Sequence, residues 1–363
     1  MHLLILLLYI MTKQPTIFIS IASYRDPDCL QTVKSLEQRA VYPERLVYGI
    51  VEQNEQGNKN EMCVLPNTPI KGTIRRITML ASEARGPQVA RYLATTLCKE
   101  EDYFFQIDSH CLFVQDWDVK LIEMFNKEQN IRGDSEFIFS HYTSDWSDYD
   151  TKKYTPKSSD MAVPRICKAH YQPGIGMFSL NGAERQPKTD RPYPTPFVAS
   201  GFIFGKTKVI MSVPYDPTLD NLFVGEEWGH SARLYTSGID VMTPTEEIAF
   251  HYYTREGRPH FTDTGKTDAS TALEKIRNIA IYGKHDENYG LGNKRSLQDF
   301  YNFAGIDLKQ KIIKKNFCKI NDMEEKENYD YYDKSSAKKD KLLLLFIIIF
   351  IISSVIILSS NLL

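Results

Sequence analysis

The sequence has no C-x-x-C pair, no N-x-S/T acceptor, no H-E-x-x-H motif and no internal repeat. Its six cysteines, Cys29, Cys63, Cys98, Cys111, Cys167 and Cys318, are scattered through a chain too long to depend on a disulfide framework, so they read as reduced, mostly buried thiols. Together with the missing N-glycosylation acceptor, this leans toward a cytosolic catalytic face. Without H-E-x-x-H, a metal-dependent hydrolase lacks its dense ligand cluster. Charge of one sign is lacking too. The formal net charge is -2, with Lys and Arg mixed among Asp and Glu, which excludes the basic field that a nucleic-acid partner requires.

At 363 residues and 42% hydrophobic content the chain can bury a full core, as one large domain or two. Residues 342–363 include the uncharged run LLLLFIIIFIISSVIIL, long enough at 1.5 Å per residue to span a bilayer as a helix. Residues 316–341 before it are charged and read as a stalk with the basic flank Lys338, Lys339 and Lys341. Leu3 to Ile10 is apolar but short and lacks a basic start, so residues 1–11 read as an extension ahead of Met11. The expected arrangement is a single-pass C-terminal membrane anchor with a cytosolic domain over residues 12–315. The domain is luminal if Leu3 to Ile10 acts as a signal.

Within that domain, Thr16 to Ser23 reads as a buried strand, Asp28 as the cap of a helix through Arg39, and Leu46 to Glu52 as a second strand. Ile74 to Leu80 is a third strand, Pro87 opens a second helix, and Phe104 onward forms a fourth strand. Strands alternating with helices predict an α/β fold, an open, mostly parallel twisted sheet flanked by helices. Residues 143–196 are proline-rich and polar, and read as a long, partly ordered insertion. Order returns at Phe197 to Phe204. Glu226-Glu227 precede a helix ended by Gly238, and Ala249 to Tyr253 is a short strand carrying His251.

The chemistry concentrates in Phe104 to Val114, FFQIDSHCLFV. Side chains in a strand repeat with period two, so Asp108 and His110 point the same way at the end of a buried strand. A carboxylate with an imidazole suits Mn²⁺ or a similar borderline metal better than Ca²⁺. In an open α/β sheet, ligands sit at the carboxyl ends of the strands, where Tyr24, Asp26, Glu52 and Asp108 fall. A nucleotide-sugar transferase needs a metal and an arginine to stabilise the departing diphosphate, for which Asp108, His110 and Arg85 are candidates. Glu226 and Glu227 would bind sugar hydroxyls or the acceptor, and Trp146 or Trp228 could stack on either or serve the core.

The stretches ISIASYRDPDCLQTVKSL, ARGPQVAR, QIDSHCLFVQDW and the GEEW segment running into HYYTR resemble the GT-A glycosyltransferases. They are similar to the polypeptide N-acetylgalactosaminyltransferases and, more closely, to the polypeptide hydroxyproline N-acetylglucosaminyltransferase family. The resemblance covers roughly Thr16 to Lys284. It implies a GT-A sheet and a retaining transfer of a GlcNAc-like sugar from a UDP donor to a polypeptide hydroxyl. It also implies Mn²⁺ (or Mg²⁺) held by Asp108, His110 and a third histidine, for which His251 is the candidate and His230 the competitor. Ser23, Tyr24, Arg25 and Asp26 would lie at the nucleotide, Arg85 at the diphosphate, and Ser200 and Gly201 at the sugar. Two other functions remain open at this point: a transferase building a glycan or glycolipid, and an inactive membrane-tethered binding module of the same fold.

Overall fold

The structure, a computed structural model, describes residues 14–314 apart from 181, 186–188, 255, 257 and 266–267. The short extension, the stalk and the expected membrane span fall outside the described residues. Among the described residues, no helix is long and apolar enough to cross a membrane. Two compact units are distinguished, Met1–Phe125 with Glu136–Cys318, and a second of which only Asn126–Ser135 is described. The first holds all eight strands of the main sheet.

The chain alternates as expected through β1 (Ile17–Tyr24), α1 (Cys29–Arg39), β2 (Leu46–Asn54), β3 (Thr73–Leu80), α2 (Pro87–Thr95), β4 (Tyr103–Asp108) and β5 (Cys111–Phe113). Next come α3 (Trp117–Arg132), β6 (Phe137–Ser140), β7 (Ser144–Asp145), β8 (Tyr193–Thr195), β9 (Phe202–Lys206) and α4 (Thr207–Met211). The order ends with α5 (Glu226–Thr236), β10 (Asp240–Thr243), β11 (Ala249–His251), α6 (Ser270–Ala280) and α7 (Leu297–Ala304). The eight-stranded sheet has the order β8-β10-β6-β9-β4-β1-β2-β3. Strands β4, β1, β2 and β3 run parallel, as do β6 and β10. The sheet is nevertheless mixed, because β9 is antiparallel to both neighbours and β8 to β10. The cause is the insertion: the chain re-enters the sheet at the carboxyl end of β4, pairing Phe202 with Ile107, and must run back along it.

The sheet's aromatic core follows from the near-continuous apolar runs of strands buried on both faces. Phe105 lies 5.0 Å from Phe202 and 5.6 Å from Trp117 between ring centroids, and Tyr103 stacks on Phe204 at 5.2 Å. A three-stranded sheet, β5-β11-β7, flanks the end of β4. The insertion is more ordered than its composition implies. Tyr149–Asp150 pairs with Thr155–Pro156, Pro164–Ile166 with Ala183–Arg185, and Ala169–Gln172 with Met177–Leu180, before β8 joins the sheet edge.

Two sequence expectations are corrected. Cys29 and Cys63 form a disulfide between the start of α1 and the loop after β2, and Cys167 is also disulfide-bonded, so these are not reduced thiols. The Cα atoms of Cys29 and Cys63 are 4.5 Å apart, a proximity created by the pairing of β1 with β2 rather than by any sequence spacing. One of the two grounds for a cytosolic domain is thereby removed. Asp28 does not cap α1 through its side chain, which instead pairs with Arg258.

Candidate active site

Strands β1, β4 and β6 all end along one edge of the sheet, and the segment opening β9 meets them there. The edge forms a cavity of about 450 Å³, lined by Tyr24, Asp26, Asp108, His110, Glu226 and His251 among others. Asp108, His110 and His251 each offer a ligand atom to one point, with those atoms within 4.8 Å of one another. The backbone explains why. Thr32 on α1 donates to the Ser109 carbonyl at 2.8 Å and accepts from the Cys111 amide at 2.8 Å, which fixes the turn carrying His110. Strand β11 then pairs antiparallel with β5, and the register places His251 opposite Cys111. Residues far apart in the chain become neighbours, with the His110 and His251 rings 4.4 Å apart.

Each member has a partner that orients it. His251 Nε2 is 3.3 Å from Asp108 Oδ2. His110 Nδ1 is 2.5 Å from Asp26 Oδ2, which also accepts a hydrogen bond from the Ser109 hydroxyl at 2.6 Å. Ser109 is thus the residue that holds Asp26 toward the imidazole. Burial pushes the Asp108 carboxyl up, but the His251 ring and the Arg91 guanidinium outweigh it and hold the group well below the usual carboxylate range. Asp26 is lowered in the same sense, burial being outweighed by His110. Burial holds His251 toward its neutral form; its Nε2 faces Asp108, and its Nδ1 is buried without a hydrogen-bond partner among the described residues. An ionised carboxylate with two imidazoles is a donor set that fits a borderline divalent cation. Asp108 also stands against Gly201, where an added Cβ would lie 2.6 Å from Oδ2, so only glycine fits beside it.

Arg91 links the triad to the acidic pair. Its guanidinium donates to Glu226 at 2.5 Å and to Asp108 at 3.4 Å, inside the cavity. Although burial lowers it, Glu226 drives its pKa above the usual arginine value. Glu226 keeps one buried oxygen, Oε2, without a hydrogen-bond partner among the described residues. Glu227 accepts from the Tyr142 hydroxyl at 2.6 Å and from the Ser200 amide at 2.8 Å. Burial first, and the neighbouring Glu226 second, push the Glu227 carboxyl up to about 7. Such an environment presents hydrogen-bond acceptors to a polyhydroxylated ligand beside a cation site.

The remaining expected residues divide. Tyr24, Asp26, Gly201, Glu226 and Glu227 line the cavity. Arg85 does not: it is half exposed and pairs with Asp220 at 2.6 Å, whereas Arg91, further along on α2, lines the cavity. Arg25 turns away with φ of 49° to pair with Glu55 and Glu61. Ser23 is buried behind the cavity wall, and Ser200 contributes backbone, its carbonyl accepting from Gln106. His230 is buried on α5, stacked against Tyr215 at 4.9 Å, and stands outside the triad. Trp228 stacks on Phe178 in the core, and Trp146 donates to the Phe250 carbonyl and lies on Tyr252. Arg258, absent from the sequence expectations, lines the cavity with its guanidinium bonded to Asp28 and 3.9 Å from Asp26. Arg91 closes the ARGPQVAR stretch that carries the resemblance, but nothing local marks its position in the cavity or that of Arg258, since each meets partners far away in the chain.

The chain shares its fold with GalNAc-T7, solved with UDP, GalNAc and Mn²⁺, at 16% identity and a TM-score of 0.50, over 80% of this chain and 54% of that one. It therefore spans about half the length of that protein. Residues 1–349 of S. aureus TarS, solved with UDP-GlcNAc, superpose at 10% identity and a TM-score of 0.45, over 75% and 68% of the respective chains. No curated protein sequence matches the chain. The sequence model of the family Glycosyltransferase (GlcNAc) matches residues 16–69 and 66–282, which takes in both ends of the cavity, and the chain belongs to that family.

Proposed function

We propose that the protein is a metal-dependent glycosyltransferase that moves GlcNAc, or a similar sugar, from a UDP donor to a polypeptide hydroxyl, hydroxyproline, serine or threonine. The observation that carries this reading is the convergence of Asp108, His110 and His251 at the carboxyl end of the sheet, beside the buried Arg91–Glu226 pair. A divalent cation held there, Mn²⁺ or Mg²⁺, supplies charge neutralisation for a departing diphosphate. The chain's own groups supply orientation. Tyr24 and Asp26 stand at the loop after β1 where a nucleotide can lie, and Arg91 and Arg258 bring fixed positive charge into the same cavity. Glu226 and Glu227 offer acceptors to sugar hydroxyls.

Transfer on the donor's front face, in which the leaving phosphate takes the acceptor proton, would need no covalent nucleophile from the chain. The membership in a GlcNAc glycosyltransferase family supports the donor assignment. The experiment is hydrolysis and transfer with a panel of UDP-sugars, with and without Mn²⁺, followed by presentation of hydroxyproline, serine and threonine peptides. Mn²⁺-dependent turnover of UDP-GlcNAc that disappears in Asp108→Ala and His251→Ala is the expected result. Turnover that survives both substitutions would overturn the metal assignment. UDP-sugar turnover that passes only to glycans or lipids would overturn the polypeptide acceptor.

A further inference from the structure

Behind the metal site, two buried groups face each other, each with one polar atom that has no hydrogen-bond partner among the described residues. His141 leaves the end of β6, lines the cavity and packs its ring against Phe202 at 4.4 Å. Glu247 lies just before β11. His141 Nε2 and Glu247 Oε1 are 3.7 Å apart, both side chains are 0% exposed, and neither atom has a hydrogen-bond partner among the described residues. The other half of each group is committed. His141 Nδ1 is 3.2 Å from the Tyr142 carbonyl, which can only accept, so Nδ1 carries a proton, and in the neutral ring the lone pair is then on Nε2. Glu247 Oε2 accepts from the Ser144 hydroxyl at 2.5 Å and from its amide at 3.2 Å.

We propose that Glu247 is a neutral positioning residue: Oε1 carries a proton directed at Nε2 of His141, which lies 3.7 Å away and comes within hydrogen-bonding reach by a small side-chain rotation, and the pair clamps the segment leaving β6 to the approach of β11, the strand that brings His251 to Asp108. An acid proton answers both orphaned atoms at once, one becoming donor to the other. The ionic alternative places two charges in a dry site with no further group to solvate Oε1, and desolvation of both outweighs their attraction. The clamp spans two sheets, since β6 belongs to the large sheet and β11 to the small one. Ser144 and Asp145 pair in register with Phe250 and His251, so what Glu247 holds at Ser144 is transmitted to the histidine.

Other groups acting on Glu247 are few. Arg185 and Asp148 approach from the insertion and are paired with each other, while Cys111 on β5 and Tyr253 after β11 lie near enough to be pushed up by Glu247 were it ionised. Burial pushes the Glu247 carboxyl up to about 8 and the His141 imidazole down to about 3, each toward its uncharged form. A carboxyl raised from 4.5 to about 8 on folding contributes stability that is complete below pH 4.5 and is lost as pH rises through 8.

Two measurements on the whole chain test the proposal without using catalysis. The ¹⁵N spectrum of histidine-labelled protein, with His141 assigned by its loss in His141→Gln, is expected to show a neutral ring protonated at Nδ1 at neutral pH. The thermal midpoint of the wild type is expected to fall with rising pH relative to Glu247→Gln, whose amide keeps a donor for His141 and cannot ionise. An imidazolium signal for His141, or parallel pH curves for the two proteins, would overturn the proposal. If Glu247→Gln does not fold, the wild-type His141 spectrum decides alone. The consequence for the metal site rests on the proposed function. Failure of the wild type to bind Mn²⁺ would remove that function while leaving both measurements intact.

Discussion

Asp26 Oδ2 lies 2.5 Å from His110 Nδ1, at the end of a chain of contacts that begins with the Ser109 hydroxyl. A carboxylate in that position fixes the imidazole tautomer and leaves the other ring nitrogen as an electron-pair donor, the usual support for a metal-ligating histidine. The sequence offers Asp26 as a nucleotide-loop residue, and the geometry gives it this second task.

Asp26→Ala is therefore expected to weaken Mn²⁺ affinity by about 10- to 100-fold, the range typical for loss of such an outer partner. Titration followed by the electron paramagnetic resonance of free Mn²⁺ measures it. Ser109→Ala, which removes only one of the contacts on Asp26, should move affinity in the same direction by less. Unchanged affinity in Asp26→Ala would mean that His110 is not oriented by this carboxylate.

Two arginines near the start of α2 should behave oppositely. Arg91→Ala leaves Glu226 buried without its cation, and breaking such a pair costs about 3–5 kcal/mol. Arg85→Ala removes an exposed pair with Asp220 and should cost no more than about 1 kcal/mol. Denaturant unfolding of the two variants gives the comparison, and UDP binding is expected to be lost only in Arg91→Ala. A loss of UDP binding in Arg85→Ala would restore the role that its place in the sequence suggested.

This contrast shows how far the sequence was legible. Asp108 and His110 could be read because they stand two residues apart at one strand end, although His110 lies in the turn after β4 rather than on the strand whose period-two geometry suggested the pair. His251 could be placed on a later strand, but its meeting with Asp108 depends on the pairing of β11 with β5, which no local pattern encodes. Arg91 was hidden for the same reason: its partner Glu226 is 135 residues away, and a buried arginine on a helix face looks like any surface charge in sequence. The parallel half of the sheet followed from alternation of strand and helix. The antiparallel β9 did not, because the insertion before it can return the chain at either end of the sheet.

The disulfide between Cys29 and Cys63 closes a separation of 34 residues, for which the chain-entropy estimate is about 4 kcal/mol of stability. Cys29→Ser with Cys63→Ser should lower the denaturation midpoint correspondingly, and reductant should have the same effect on the wild type after unfolding exposes the buried sulfurs. Equal stability of oxidised and reduced wild-type protein would show that the bond does not form in solution. The bond joins the start of α1, three residues after Asp26, to the loop holding Glu61 against Arg25, so nucleotide affinity should fall along with stability.

Glu227 gives a pH dependence separable from that of Glu247. Its carboxyl is raised from 4.5 to about 7 by burial and by Glu226, so the folded state binds the proton more tightly than the unfolded chain. Its contribution to stability is complete below pH 4.5, declines as pH rises, and is gone above 7, because ionising the group inside the fold costs more than ionising it in water. The total is about 3 kcal/mol at most, from the difference between those two values. Glu227→Gln keeps an acceptor for the Ser200 amide and removes the ionisation. Its unfolding free energy should therefore fall less steeply between about pH 4.5 and 7, by the Glu227 share alone, while keeping the fall assigned to Glu247, which runs from about 4.5 to 8. Urea melts of the wild type and both glutamine variants from pH 4.5 to above 8 separate the two contributions. A Glu227→Gln curve that still falls by the wild-type amount below pH 7 would place the proton elsewhere.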